Sequence, residues 1–73
     1  MKRICITYRM QKGNETAETC HVLPMMDVVA DNILREQENS QYIKSACAVS
    51  SVLEHLAYMQ GYSYKGFICA ELA

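Results

Sequence analysis

Residues 2–23, KRICITYRMQKGNETAETCHVL, decide the fold. From Lys2 to Met10 the chain alternates. Ile4, Ile6, Tyr8 and Met10 fall on one side, and Arg3, Cys5, Thr7 and Arg9 on the other. A period of two over this length is the signature of a half-buried strand. Gly13-Asn14 supplies turn chemistry, and Thr16 to Leu23 reads as a second strand, so the stretch is a β-hairpin. A two-residue turn at Gly13-Asn14 pairs Lys12 with Glu15, Arg9 with Glu18, Thr7 with Cys20 and Cys5 with Val22. It also sets Ile4 opposite Leu23, Ile6 opposite His21, Tyr8 opposite Thr19 and Met10 opposite Ala17. This register forms two opposite-charge pairs and keeps the apolar side together, and a slip of one residue loses both.

Beyond the hairpin, Pro24 suits the first turn of a helix, and Asp27 favours the helix dipole there. Met25, Met26, Val29, Ile33 and Leu34 recur at helical spacing opposite Asp27, Asp31, Arg35 and Glu38, predicting an amphipathic helix from about Pro24 to Glu38. Asn39-Ser40 is the expected break. A second helix is expected to start between Ser40 and Ser45 and to carry Ala46, Val49, Val52, Leu53, Leu56, Ala57 and Gln60 as its buried stripe, with Gly61 closing it. Period two returns from Tyr62 to Leu72. It puts Tyr62, Tyr64, Gly66, Ile68, Ala70 and Leu72 on one side and Ser63, Lys65, Phe67, Cys69 and Glu71 on the other. The expected fold is one α+β domain over residues 1–73 with the order ββααβ. Two consecutive antiparallel helices return the chain so that the last strand runs parallel to the first. A right-handed crossover then gives a three-stranded mixed sheet, order 2-1-3, with both helices on one face.

Seventy-three residues fill one core, and such a core supplies only about 3–5 kcal/mol of net stability, so self-association is a live expectation. A hydrophobic share of 51% with 21% charged residues argues against disorder. No apolar run spans a membrane, and Thr7 and Arg9 interrupt what a secretory leader would need. These features point to a cytoplasmic protein, of a size common among small bacterial-type accessory proteins. On that reading the Asn14-Glu15-Thr16 sequon is plain loop sequence, and Cys5, Cys20, Cys47 and Cys69 are expected to be reduced, unbridged and metal-free. The net charge is −1, but residues 1–12 carry four bases and no acid, while the remainder holds three bases and eight acids. That asymmetry can steer a partner.

Motifs for catalysis are absent from the sequence. Cys20 and His21 are adjacent, yet on a strand they point to opposite faces and cannot form a nucleophile–base pair. His21 reads as a satisfied polar group at the edge of the core, and His55 as a surface histidine flanking the second helix. Ser50-Ser51 lacks the glycines of a nucleophile elbow. Gly61 to Gly66 has the spacing of a phosphate loop, but Phe67 stands where its lysine belongs. No cysteine or histidine spacing prepares a tetrahedral metal site. No cofactor is expected.

The expectation is therefore a non-enzymatic interaction module that binds another protein or itself, as a homodimer, through the sheet face left open by the helices. Phe67, Val22, Cys5, Cys69 and Arg9 are the expected partner-binding residues, with Phe67 as the aromatic anchor. The second reading is a small nucleic-acid-associated regulator using the basic hairpin of Lys2, Arg3, Arg9 and Lys12. Glu15 and Glu18 lie across from two of those bases and blunt its field.

Overall fold

Alternation of apolar and polar residues, a two-residue turn and two helical stripes combine as β1 (Lys2–Lys12), β2 (Glu15–Met25), α1 (Asp27–Asn39), α2 (Ser50–Met59) and β3 (Ser63–Leu72). These elements are seen in a computed structural model that describes residues 1–39 and 49–73. The sheet order is β2-β1-β3, giving an α+β fold. The β1–β2 register runs from Lys2 opposite Met25 to Lys12 opposite Glu15 and contains every cross-strand pair expected of the hairpin. Gly13 has φ +61 and no non-glycine residue described has positive φ. Glycine at the first central position is what a type II′ turn requires, and that turn matches the twist of the flanking strands.

Two boundaries differ from expectation. Pro24 and Met25 are not the first turn of a helix. They end β2, where Pro24 stands opposite Arg3 and Met25 is buried. The helix starts at Asp27, and the N-terminal amine of Met1 lies 3.4 Å from its carboxylate. The proposed caps at Ser40 and Ser45, and Ala46, lie outside the described residues.

The sheet is antiparallel throughout, not mixed: β3 runs opposite to β1, with Ile4 across from Leu72 and Gln11 across from Ser63. The expectation of a parallel strand assumed that the second helix retraces the first. Instead, α1 begins beside Met1 at one end of the sheet, and α2 releases the chain at the other, where the Tyr62 hydroxyl lies 3.4 Å from Glu15. The chain therefore enters β3 from the hairpin-turn end. α2 closes with Gly61 at φ +85, Gly61 N–H bonded to Tyr58 O (2.9 Å) and Tyr62 N–H to Ala57 O (3.0 Å). This is the Schellman arrangement, and Gly61 is its left-handed residue as expected.

The core gathers Ile4, Ile6, Tyr8 and Met10 of β1 with Met25, Ala30 and Ile33, Val49, Leu53 and Ala57, and Ala70 of β3. Leu56 packs against it half-buried. The helices pack chiefly against β1 and β3. Consequently Ala17, Thr19, His21 and Leu23 on the core side of β2 are only half-buried and Met25 at its end is buried, whereas Ile4, Ile6 and Tyr8 have no exposure at all.

Candidate interaction surface

Because cross-strand partners share a face, the register lays out the side of the sheet opposite the core in rows. Val22, Cys5 and Glu71 form one row across β2, β1 and β3. Cys20, Thr7 and Cys69 form the next, and Glu18, Arg9 and Gly66 the one after. Val22, Cys20 and Cys69 are exposed, and Cys5 and Thr7 are half-buried between their neighbours. Arg9 Nη2 lies 3.4 Å from Glu18 Oε2, both well exposed, so the pair tethers two side chains and contributes little to stability. Four of the five expected site residues, Val22, Cys5, Cys69 and Arg9, thus come together on one surface.

Phe67 does not join them. It stands opposite Tyr8 on the core side, half-buried against the core. The cause is a pair of register shifts in the β1–β3 ladder, which leave Ile68 and then Lys65 without a partner residue on β1. An extra residue of this kind inverts which side chains face the core until a second one restores the phase. Ala70, Leu72 and Tyr64 therefore keep their expected side, while Phe67 and Gly66 exchange theirs. Gly66 was the available signal, since an isolated glycine within a strand pattern marks a bulge. Ile68, assigned to the core by simple alternation, is 38% exposed.

The three described thiols, Cys5, Cys20 and Cys69, are free. The Cys5 thiol is held above its ordinary value first by its hydrogen bond with Cys20, then by burial and by the negative charge that Cys20, Glu71 and Cys69 can carry. The arrangement therefore favours a neutral Cys5 thiol over a nucleophilic thiolate there. Among the described residues no three cysteine, histidine or acidic side chains are placed to hold a metal ion. Cys47 lies outside them.

On the core side a polar chain links three elements. Gln60 Nε2 donates to the Tyr8 hydroxyl (3.2 Å) and to Leu56 O (3.0 Å), and the hydroxyl lies 3.0 Å from His21 Nδ1. The Tyr8 and His21 rings stack at 5.7 Å. His21 is thus half-buried on the core side and bonded, as its strand position implied, whereas His55 is exposed on α2. Helical spacing placed Gln60 on the core-facing stripe of the second helix, but nothing local marks its bond to a hydroxyl 52 residues away.

Two of the four hairpin bases are engaged: Arg9 by Glu18, and Lys2, whose Nζ lies 2.5 Å from Asp31 Oδ1. Among the described residues no helix is long and apolar enough to cross a membrane. In comparison with known proteins, no family model, curated protein or solved structure matches this chain.

Proposed function

We propose that this chain is a non-enzymatic protein-interaction module that engages another protein, or a second copy of itself, through the sheet face opposite the core. In this reading both helices lie over the Ile4, Ile6, Tyr8 and Met10 side, and the partner covers Val22, Cys5, Thr7, Cys69 and the stem of Arg9. The observation that carries it is the make-up of that face: a valine 43% exposed beside three thiols, with one ion pair at its margin. Semi-apolar surface left in water forfeits burial worth about 25 cal/mol per Å², which a partner recovers. The groups best suited to chemistry are dispersed, with Cys20 and His21 on opposite faces and His55 on the outside of α2. Phe67 leaves the set of contact residues, since it packs against the core. The reduced thiols suit a cytoplasmic setting.

Thr7, at the centre of the face and opposite both Cys20 and Cys69, provides the test. Thr7→Arg puts a charge in the middle of the surface without touching the core. Partners recovered from the source cell by the parent should be lost with this variant, at an unchanged circular dichroism spectrum. Recovery of the same partners by both chains refutes the reading. The nucleic-acid alternative rests on Arg3 and Lys12, the hairpin bases outside the two ion pairs. Salt-dependent retention on immobilised nucleic acid that is abolished by replacing both would favour it.

A further inference from the structure

We infer that a second copy of this chain pairs antiparallel with the outer edge of β2, centred on Cys20, to make one six-stranded sheet. The two edges of the three-stranded sheet are unequal. On β3, Lys65 and Ile68 interrupt the ladder, and the Gln37 side-chain amide occupies the backbone of Ala70. Its oxygen accepts from Ala70 N–H at 3.0 Å and its nitrogen donates to Ala70 O. Bulges and covered backbone are the means by which sheets close an edge. On β2, pairing with β1 runs through eleven residues without a shift, and among the described residues nothing pairs with its other side. The helices pack towards β3, leaving the core side of β2 half-exposed as well.

The backbone groups that face outward can be identified. Ala73 N–H donates to Arg3 O (2.9 Å), so Arg3 turns its backbone towards β3. In an antiparallel ladder this alternates, so Ile4, Ile6, Tyr8 and Met10 turn theirs towards β2. Their partners Leu23, His21, Thr19 and Ala17 are therefore satisfied by β1, while Thr16, Glu18, Cys20 and Val22 present N–H and C=O groups outward. Pro24 holds the next outward position, where its missing N–H costs the ladder nothing.

Such an edge is complementary to itself, which selects a second copy as the occupant. Its acids are already engaged, Glu18 by Arg9 and Glu15 by the Tyr62 hydroxyl. With Cys20 opposite its own copy, Glu18 faces Val22 and Thr16 faces Pro24. Every outward N–H is used, and the two Glu18 residues stay apart. Centring on Thr19 instead brings the two acids closer, and centring on His21 carries Thr16 opposite position 26, beyond the end of β2. The two-fold axis stands perpendicular to the sheet, so both open faces lie on the same side. The inference rests on the proposed interaction role only in that this doubles the surface offered to a partner.

Amide hydrogen exchange on the full chain across a concentration series, with sedimentation, tests it. Ala17, Thr19, His21 and Leu23 should be protected throughout. Thr16, Glu18, Cys20 and Val22 should become protected only as the dimer forms. Cys20→Pro removes an outward N–H and the thiol, and should weaken the dimer about tenfold or more with the β1–β2 ladder intact, whereas Cys20→Ala, which removes the thiol alone, should leave it unchanged. If that variant does not fold, the exchange pattern of the parent still decides. A chain that stays monomeric, or a dimer whose outward amides exchange freely, overturns the inference. Thr7→Arg separates the two ideas: it should leave edge pairing unchanged, and its effect on partner recovery reports on the open face alone.

Discussion

Tyr8 concentrates the physical chemistry of the core in one side chain. It is fully buried, yet its hydroxyl is satisfied by Gln60 and His21, so burial of a polar atom carries no unpaired-group cost. Because Gln60 donates to the hydroxyl, the Tyr8 proton is available to His21 Nδ1 at 3.0 Å, and the expected tautomer carries its ring proton on Nε2. Nitrogen NMR of His21 should report that tautomer, and an Nδ1–H form would refute this assignment. Burial holds the Tyr8 phenol above its ordinary value of 10.0, against a smaller opposite effect from Gln60. The Cys5 thiol is raised above 9.0 by its bond to Cys20, and Lys2 above 10.5 by Asp31. All three shifts are upward, so each contributes stability that is whole below the unfolded-state value and lost as pH climbs through the folded one. The denaturant midpoint should therefore hold to about pH 9 and fall steadily above it. Tyr8→Phe should cost about 0.5–1.5 kcal/mol at neutral pH and soften that alkaline decline. An alkaline profile identical to the parent's would mean that Tyr8 has no part in it.

At the scale of the element, β3 shows what periodicity can and cannot reveal. Phe67→Ala should now destabilise the fold, by less than the roughly 3–5 kcal/mol typical of a fully buried phenylalanine, because Phe67 is half-buried. Thermal melting decides it, and an unchanged midpoint would return Phe67 to the open face. The hairpin was legible because several independent constraints agree there: the Gly13-Asn14 turn, the Arg9–Glu18 and Lys12–Glu15 pairs, and the Ile4–Met10 stripe. β3 offered alternation alone, and alternation carries no information about a ladder that gains a residue at Ile68 and another at Lys65. The direction of β3 was likewise illegible, since it depends on where the helices deliver the chain. The shared sheet side of Val22, Cys5, Cys69 and Arg9 was legible, because it rests on β1 and β2 phasing or on the end of β3 beyond the bulges.

For the molecule as a whole, stability hangs on few side chains. Leu53 has no exposure and sits in the core with Tyr8 and Ile33. Leu53→Ala should cost about 2–5 kcal/mol, comparable to the entire net stability of about 3–5 kcal/mol expected of so small a core. The variant should be largely unfolded at 25 °C by circular dichroism. A melting point within a few degrees of the parent's would mean that the core tolerates the cavity. The central position of β1 has a further consequence, for the order in which the chain assembles. Its first partner, β2, follows after a two-residue turn, but its second, β3, is separated from it by the whole helical segment. Contacts of short sequence separation close before distant ones. A chain emerging from the ribosome can therefore pair Ile4, Ile6 and Tyr8 into a marginally stable hairpin whose other edge stands bare until residues 63–72 arrive. During that interval the nascent hairpin exposes the apolar face and unpaired strand that invite misassembly, and this is when a chaperone would have most to shield.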